Sequence, residues 1–374
     1  MTTTSDTQAL SGTASQADGY TMHRTAYVDS TFLDKEMNAV FSDTWQYVGP
    51  LAKLSSPGDH IVATLGRTSV VVSRDTDGAL KGMINICRHR LHPVALEAGS
   101  SRMLQCRYHG WSYRLDGSLL NAPRCRDELQ LNKAEHGLLP VAVQTLGPWV
   151  FANLVIDAAP MTDLIEDCRD FVDQMIDSGR RFTYREQSTT AINGNWKLFV
   201  ENALECYHCP LIHSETFAKA FKVGNGEYDS RIFANANTQY GPAKLVSAGL
   251  PEGRTPGGFQ FLFLPPNSLV AIDDFAMFVL RVVPTSPTTC DVVSDMYVDE
   301  SMPADALEEW VSIYYTKTME EDAGAVELQQ HGFTAGAVPY GRLLPESENA
   351  LAFFEKWIMT RIELLESDST TLQM

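Results

Sequence analysis

The chain has 374 residues, of which 44% are hydrophobic and 20% are charged, a composition typical of a globular protein with room for two domains. Aspartate and glutamate outnumber lysine and arginine by 47 to 29, so the formal net charge is −18. Because this charge repels phosphate backbones and anionic headgroups, it argues against general binding of nucleic acid or of membrane surfaces. No apolar run approaches the roughly 20 residues that cross a bilayer.

The start of the chain and its cysteines indicate the cellular compartment. Residues 1–18 are polar and have neither the basic segment nor the apolar core of a signal peptide, so we expect a disordered leader. The seven cysteines are an odd number in a long chain, and we expect reduced thiols or metal ligands rather than a disulfide framework. These features together predict a cytoplasmic protein.

The hydrophobic pattern predicts an N-terminal helix and two domains of different texture. Apolar residues at helical spacing in TFLDKEMNAVFSDTW predict a helix in the segment 19–43, packed on the second domain. Residues 44–155 contain short β-branched and aromatic runs between Gly, Pro and Asp turns, which predicts an all-β domain. Residues 156–374 combine apolar strands with helical segments, which predicts an α+β domain. The predicted helices of this domain are 161–175, 191–208, 303–331 and 346–366.

A first group of metal-ligating residues lies in the β domain. Cys87 and His89 form one pair, and Cys106 and His109 form another, with 16 residues between the pairs. Two thiolates and two imidazoles can bind one tetrahedral zinc, or a two-iron cluster with sulfur ligands on one iron and imidazoles on the other. The spacing alone does not choose between them. Zinc knuckles usually pair Cys with Cys, whereas each segment here offers one Cys and one His, which favours the cluster.

A second group begins with His208 and His213, five residues apart with Pro210 between them. On a regular helix five residues turn the face by about 140°, too far to share a metal, but a proline distorts the turn. Two imidazoles and one carboxylate form the facial triad of a non-haem ferrous site, which leaves positions open for dioxygen and substrate. Glu205 precedes His208 by three residues and is placed to hold that imidazole by a hydrogen bond.

The missing carboxylate is predicted at Asp322. On a regular helix Asp322 follows Val311 by about 1100° of rotation, so it shares a face with Leu307 and Val311. A carboxylate on a buried face is unfavourable unless a metal or cation neutralises it. Glu321 points off this face and is predicted to be solvated, although it is the nearest competing ligand.

These motifs have a family resemblance. The segments CRH, CRYHGW and LDGSL resemble the Rieske domain of ring-hydroxylating and related oxygenases, and NWK, ENALECYHCPLIH and EDAGAVELQQHG resemble their mononuclear-iron half. The resemblance covers about residues 40–360 and implies an α+β chain, in which an all-β Rieske [2Fe-2S] domain precedes a helix-grip, START-like domain with a central antiparallel sheet. It implies that four residues hold the [2Fe-2S] cluster, with both histidines on the outer iron: Cys87, His89, Cys106 and His109. It implies that three residues bind Fe(2+): His208, His213 and Asp322.

The resemblance also implies an assembly. Many family members have aspartate at the position of Glu205, where it bridges the two metal centres, and the glutamate here keeps the carboxylate. Members are typically head-to-tail trimers in which one subunit's cluster feeds the neighbour's iron. We therefore expect a homotrimer, without a β subunit, in which Glu205 has the bridging role.

The expected function is that of a terminal oxygenase, which uses O2 and electrons to hydroxylate or oxidatively demethylate a small organic substrate. The sequence has no flavin, nicotinamide or plant-type ferredoxin motif, so we expect a separate NAD(P)H-dependent reductase of the flavin/ferredoxin type. The glutamate-containing motif is similar to that of oxygenases of quaternary ammonium compounds such as choline, betaines and carnitine. Aromatic-ring-hydroxylating dioxygenases share nearly all of these motifs and are the alternative.

The predicted pocket strands leave the substrate class open. Their aromatic and acidic residues could form a cage for a cation, a slot for an apolar ring, or simply core. These residues are Phe259, Phe261, Phe263, Phe275, Met277 and Phe278, with Asp273 and Asp274 in the connecting turn. A non-enzymatic electron carrier and a zinc-stabilised ligand-binding protein are the alternatives from another class. Iron and acid-labile sulfide in the protein would favour the oxygenase.

Overall fold

The computed structural model describes residues 19–125, 130–224, 226–244 and 257–371. The predicted leader, residues 1–18, lies outside the described residues. Within the described ranges no helix is both long enough and apolar enough to cross a membrane. The chain divides into two compact units, one comprising Phe41–Asp163 and the other comprising the residues up to Val40 together with those from Leu164 onward.

The unit Phe41–Asp163 is built from short antiparallel strands. A seven-stranded sheet has the order β1-β10-β9-β4-β3-β2-β5, and a small sheet has the order β6-β7-β8. The strands are β1 Gln46–Pro50, β2 Asp59–Leu65, β3 Thr68–Arg74, β4 Leu80–Ile84, β5 Gly99–Ser100, β6 Leu104–Gln105, β7 Ser112–Tyr113, β8 Leu119–Asn121, β9 Pro140–Leu146 and β10 Trp149–Asn153. Alternating apolar residues in HIVATL bury one face of β2, as the period of a strand requires, whereas the consecutive valines of TSVVVS are buried on both faces of β3.

The other unit has a seven-stranded antiparallel sheet with helices around it. The sheet order is β11-β17-β16-β15-β14-β13-β12. Its strands are β11 Thr183–Ile192, β12 Asp229–Ile232, β13 Asn237–Gly241, β14 Phe259–Leu264, β15 Ser268–Ile272, β16 Ala276–Ser286 and β17 Thr289–Val298. The helices of the chain are α1 Ser30–Ala39, α2 Met161–Leu164, α3 Arg169–Gly179, α4 Trp196–Ala203, α5 Cys209–Ile212, α6 Phe217–Ala220, α7 Ala304–Trp310, α8 Thr318–Ala335 and α9 Asn349–Thr371. The segment Val311–Lys317, between α7 and α8, is π-helical.

Two predicted helices are shorter than the sequence suggested. The helix predicted from the apolar spacing in TFLDKEMNAVFSDTW, residues 31–45, ends at Ala39, and the Gln46 side chain donates to the Phe41 carbonyl at 3.0 Å, where the chain turns into β1. The helix expected over 191–208 begins at Trp196, because the Asn195 side chain accepts from the backbone N–H at position 197 and caps it.

A buried polar network fixes α4 against α1. The Lys197 ammonium lies 2.7 Å from Glu36 Oε1 and donates to the Ala26 carbonyl at 2.7 Å, and both charged side chains are fully buried. The Trp196 indole N–H donates to Glu36 Oε2 at 3.0 Å. Because a buried charge is tolerated only when it is paired, these contacts hold α4 in one position. The C-terminal end of α4 leads into the loop that contains His208.

Candidate metal centres and active site

The first pair of predicted cluster ligands lies in the loop after β4. The backbone N–H of Cys87 donates to the His92 carbonyl at 2.9 Å, and the N–H of Leu91 returns to the Cys87 carbonyl at 3.1 Å. Leu91 has a φ of 59°, the left-handed conformation that closes this tight loop. Cys87 is thereby buried, while His89 is exposed.

The loop between β6 and β7 closes in the same way. The N–H of Cys106 donates to the Trp111 carbonyl at 2.9 Å, and the N–H of Gly110 donates to the Cys106 carbonyl at 3.0 Å. Gly110 takes the left-handed conformation, with a φ of 75°. Cys106 is buried and His109 is exposed. Each loop therefore presents one thiol to the interior and one imidazole to the surface.

The four side chains fit a two-iron cluster better than a single zinc. The rings of His89 and His109 are neighbours, with centroids 4.6 Å apart, and His89 also stacks on Trp111 at 5.2 Å. The two thiols lie on the buried side of the loops and the two imidazoles on the exposed side. A cluster with thiolates on one iron and imidazoles on the other needs this separation of the sulfur ligands from the nitrogen ligands.

A tyrosine supports the buried side of this site. The Tyr113 hydroxyl lies 3.3 Å from Cys87 Sγ and accepts a hydrogen bond from the Arg88 N–H at 3.0 Å. Burial raises the pKa of Tyr113, so its phenol stays protonated and can donate a hydrogen bond to the sulfur. Nothing in the sequence pattern indicates this contact, because Tyr113 has the pattern of an ordinary strand residue.

His208 and His213 lie at the two ends of a one-turn helix. Helix α4 ends at Ala203, and α5 begins after His208 with Pro210 in its first turn. Proline is suited to this position because its missing N–H would have no helical partner. His213 follows the last residue of α5, and the two Nε2 atoms lie 3.2 Å apart. The imidazoles converge because the chain forms two separate helices here, whereas the sequence suggested one distorted helix.

Asp322 of α8 completes the group. Its Oδ1 lies 2.9 Å from His213 Nε2 and 3.5 Å from His208 Nε2. The regular-helix argument for Asp322 is wrong in detail, because the π-helical segment Val311–Lys317 changes the rotation per residue. Asp322 nevertheless faces the same cavity as Tyr314. Two imidazole nitrogens and one carboxylate oxygen thus meet at one point.

The charges of this group are complementary. Burial lowers the pKa of His208, but the carboxylates of Asp322 and Glu205 outweigh it and raise that pKa to about 10. Burial raises the pKa of Asp322, but hydrogen bonds and charge from the two imidazoles outweigh it, so the pKa of this carboxyl is lowered. A metal cation in this position would replace the protons that the imidazoles share with the carboxylates.

Glu205 fixes the first imidazole. Its Oε1 lies 2.6 Å from His208 Nδ1, and its Oε2 accepts from the backbone N–H groups of Tyr207 and His208, the latter at 3.2 Å. Since Nδ1 is engaged, Nε2 is the nitrogen left for a metal. The Asn202 amide lies 3.4 Å from the same Nε2.

Glu321 differs from its prediction. It was expected to be solvated, but its Oε2 lies 2.8 Å from His213 Nδ1 and accepts from the Thr216 hydroxyl at 2.6 Å. His213 is therefore held in the same manner as His208, with a carboxylate at Nδ1 and Nε2 left for a metal. The adjacency of Glu321 to Asp322 was the only sequence signal for this role.

Cys209 is a competing ligand by distance. Its Sγ lies 3.9 Å from His208 Nε2, and the ligand atoms of Cys209 and both histidines lie within 4.8 Å of one another. Burial raises the pKa of the Cys209 thiol, whereas the pKa of Asp322 is lowered. The ionised carboxylate is the better ligand for a ferrous ion, since iron of this kind takes two imidazoles and one carboxylate.

A cavity of ≈ 160 Å³ adjoins the three converging side chains. Seven aromatic residues line it: Phe199, Phe217, Phe259, Phe261, Phe278, Tyr314 and Tyr315. Of the predicted pocket residues, Phe263, Phe275 and Met277 do not line it. Phe263 packs against Phe354 of α9 with ring centroids 5.4 Å apart, and Phe275 stacks on Trp310 at 4.1 Å. Tyr314 and Tyr315 belong to the π-helical segment and were not among the pocket residues predicted from the sequence.

Both groups of predicted ligands lie in segments that match known protein domains. The Rieske [2Fe-2S] domain matches residues 44–142, and the ring hydroxylating alpha subunit (catalytic domain) matches residues 179–364. The chain belongs to the Rieske oxygenases. It therefore joins an all-β Rieske domain to an α+β catalytic domain, and its cofactors are a [2Fe-2S] cluster and a non-haem iron. Because both domains match those of an oxygenase, we reject the two alternatives from another class, a non-enzymatic electron carrier and a zinc-stabilised ligand-binding protein.

The relatives of this Rieske oxygenase include enzymes of quaternary ammonium compounds. The chloroplastic choline monooxygenase of Spinacia oleracea is 28% identical over 356 residues, which cover 92% of this chain and 79% of that protein. The carnitine monooxygenase oxygenase subunit of Acinetobacter pittii is 26% identical, with 90% of this chain and 93% of that protein covered. The quaternary ammonium Rieske monooxygenase CntA, solved with an inhibitor, is 25% identical with a TM-score of 0.81, covering 91% of this chain and 95% of its own. The naphthalene 1,2-dioxygenase of Rhodococcus sp. shares the fold at 18% identity, with a TM-score of 0.81 and coverage of 97% and 99%.

Proposed function

We propose that this Rieske oxygenase is a monooxygenase that hydroxylates a small quaternary ammonium compound or, through that hydroxylation, removes one of its methyl groups. The observation that carries the proposal is the cavity beside the converging imidazoles, which combines aromatic faces with the carboxylate of Asp273. Aromatic faces and carboxylates both attract a cation. The choline and carnitine monooxygenases among the relatives support the same substrate class.

The ligand assignments are part of the proposal. The paired loops and their spacing support a cluster held by four residues: Cys87, His89, Cys106 and His109. The convergence beside the cavity supports an iron held by three residues: His208, His213 and Asp322. When bound, the cluster supplies single electrons, and the iron binds and reduces O2. Glu205 and Glu321 orient the two imidazoles, and the aromatic lining excludes water from the substrate.

The reaction requires a source of electrons. One oxygen atom of O2 enters a C–H bond of the substrate as a hydroxyl group and the other leaves as water, which consumes two electrons and two protons. We propose that a separate NAD(P)H-dependent reductase of the flavin/ferredoxin type supplies these electrons. The cytoplasmic location expected from the sequence stays a prediction.

A head-to-tail homotrimer without a β subunit is the proposed assembly. Exposed apolar side chains flank both metal sites, and such patches mark interfaces. Tyr207 and Leu211, beside the iron loop, are 61% and 84% exposed, and Leu91 and Tyr108, in the cluster loops, are 75% and 50% exposed. In this assembly Glu205 bridges the iron of one subunit and the cluster of its neighbour. A solved CntA structure is described as revealing inter-subunit electron transfer in that protein.

Dioxygenation of an aromatic ring is the second candidate, because the fold is shared with a naphthalene dioxygenase. The cavity of ≈ 160 Å³ is smaller than the ~300–1,000 Å³ of typical ligand pockets, which favours a small substrate over a fused ring. A carboxylate at the cavity also disfavours a neutral apolar ring.

The proposal is tested by turnover of the iron-loaded enzyme with a surrogate reductase. The panel contains choline, glycine betaine, carnitine, benzoate and naphthalene, and product is measured against O2 consumed. We expect product to match O2 consumption with a quaternary ammonium compound. Coupled turnover of an aromatic substrate alone would contradict the proposal.

A further inference from the structure

One acidic side chain at the cavity has no part in the metal site. Asp273 lies in the turn between β15 and β16 and is half-buried. Its Oδ1 accepts from the N–H groups of Phe275 at 2.7 Å and Ala276 at 3.0 Å, and its Oδ2 accepts from the Trp310 indole N–H at 2.9 Å. All three donors are uncharged and stabilise the carboxylate, but burial outweighs them and raises the pKa of Asp273 to about 6, so the side chain is mostly ionised above pH 7.

Asp273 lies against aromatic rings. The Trp310 ring that it holds stacks on Phe275 at 4.1 Å and contacts Tyr314 at 4.1 Å between centroids. Trp310 precedes Asp322 by twelve residues of continuous helix, a separation of up to about 18 Å along the axis. The Asp273 carboxylate therefore contacts this helical stretch about three turns before Asp322.

The remaining charges of the cavity do not offset Asp273. Its other acidic lining residues, Glu205 and Asp322, are both paired with imidazoles. None of the described residues that line the cavity is a lysine or an arginine. The neighbouring Asp274 accepts from the Gly257 N–H at 2.8 Å and lies 3.9 Å from the Arg181 guanidinium, in a surface hollow that Asp273 also lines. Arg181 donates to the backbone carbonyl of Asp273 at 2.9 Å but does not line the cavity.

A cationic substrate with a carboxylate at its other end would meet like charge in this cavity. Like charges placed together in a water-poor site repel each other strongly, and a carboxylate that loses water without a partner is also unfavourable. A cation with a neutral hydroxyl at its other end avoids both costs. The relatives include enzymes of both kinds of compound, since choline has a hydroxyl group and carnitine has a carboxylate.

Resting on the proposed function, we infer that Asp273 is a specificity-determining residue: it makes this oxygenase select choline-like cations that have no carboxylate over zwitterions such as carnitine or betaine. The carboxylate also holds Trp310 against Phe275 and Tyr314, so its effect on substrate choice must be separated from an effect on packing.

The first test needs no variant. The holoenzyme with a surrogate reductase is given choline, carnitine and glycine betaine, and anaerobic calorimetry measures the binding of each. We expect kcat/KM and affinity for choline to exceed those for either zwitterion by about tenfold or more, since tenfold corresponds to about 1.4 kcal/mol. Equal or better use of a zwitterion would overturn the inference and leave the proposed function standing. Failure to use any quaternary ammonium compound would overturn both.

The second test separates charge from packing. Asp273→Asn should raise KM for choline about tenfold with little change in kcat, and should leave the neutral isostere 3,3-dimethylbutan-1-ol unaffected. Trp310→Phe removes the indole donor but keeps the ring and the charge, and should retain the preference for choline. Asp274→Asn, next in sequence but outside the cavity, is the matched control and should behave like the parent. An equal loss for choline and its neutral isostere in Asp273→Asn would refute a charge-based role.

Discussion

Glu205 Oε1 lies 2.6 Å from His208 Nδ1, so the carboxylate that follows α4 fixes the imidazole that precedes α5. The same carboxylate accepts from two backbone N–H groups of the loop. Glu205 therefore controls both the ring orientation and the shape of the loop between the helices, without itself lying at the convergence point of the proposed iron ligands.

Glu205→Gln should leave both metals bound and slow product formation severely. The amide preserves the size of the side chain but removes the charge that connects the centres in the proposed trimer. Single-turnover oxidation of the reduced cluster in the presence of substrate measures the effect. Glu205→Asp, which keeps the charge, is the matched control and should be the less impaired variant. A rate for the glutamine variant close to the parent's would demote Glu205 to a structural residue.

Asp322→Ala should lose the mononuclear iron and turnover while keeping the visible absorption of the cluster. Glu321→Ala should keep iron with affinity reduced by about 10–100-fold, because Glu321 acts only through His213. Cys209→Ser is the control for the competing thiol and should keep its iron. Iron analysis and turnover distinguish the three variants. If Glu321→Ala or Cys209→Ser loses iron while Asp322→Ala retains it, the choice of carboxylate is wrong.

Tyr113→Phe should keep the cluster but lower its reduction potential. The Tyr113 hydroxyl lies 3.3 Å from Cys87 Sγ, and a hydrogen bond to a ligand sulfur stabilises the extra negative charge of the reduced cluster. A redox titration followed by visible absorption measures the shift. Cys87→Ser should abolish that absorption altogether. An unchanged potential in Tyr113→Phe would show that the hydroxyl does not act on the cluster.

Glu201 should make stability depend on pH. Burial, followed by the charge of Glu355, holds the pKa of Glu201 well above its usual value, and the Tyr27 hydroxyl lies 2.8 Å from both carboxylates. One hydroxyl proton cannot serve two carboxylates, so one of the acids keeps its own proton. Lys197 and Glu36 are the other charged groups near Glu201.

The direction in which stability changes with pH follows from the raised pKa of Glu201. The contribution of Glu201 to stability is fully present below its ordinary pKa of about 4.3 and is lost as the pH rises toward the folded-state value. Glu201→Gln imitates the protonated acid. The melting temperature of the variant should therefore rise relative to that of the parent as the pH increases from about 5 to about 8. Parallel thermal melts of the two proteins measure this difference. A difference that does not change with pH would contradict the raised pKa.

The sequence predicted residue types well and local geometry less well. The paired Cys and His residues of the β domain and the three residues that converge beside the cavity were identifiable because few side chains can act as metal ligands. The contact of Glu321 with His213 was not predictable, because it depends on the rotation of α8 after the π-helical segment, and no proline or glycine marks that segment. Tyr314 entered the cavity lining for the same reason.

The prediction of cavity-lining residues from the strand pattern was incomplete for a different reason. Phe259, Phe261 and Phe263 share one face of β14, but only the first two line the cavity, since the third reaches α9. Strand alternation gives the face and not the position along it. How far a cavity extends depends on the packing of helices from distant parts of the sequence.

The most direct test of the proposed oxygenase function is a single turnover without a reductase. The purified protein, expected to hold about three irons and two acid-labile sulfides per chain, is reduced anaerobically and mixed with choline and O2. We expect the cluster to be oxidised as product forms, with at most one product per iron site, and Asp322→Ala to give neither product nor substrate-dependent oxidation. A colourless zinc protein, or cluster oxidation that is never accompanied by an oxygenated product from any substrate of the panel, would contradict it.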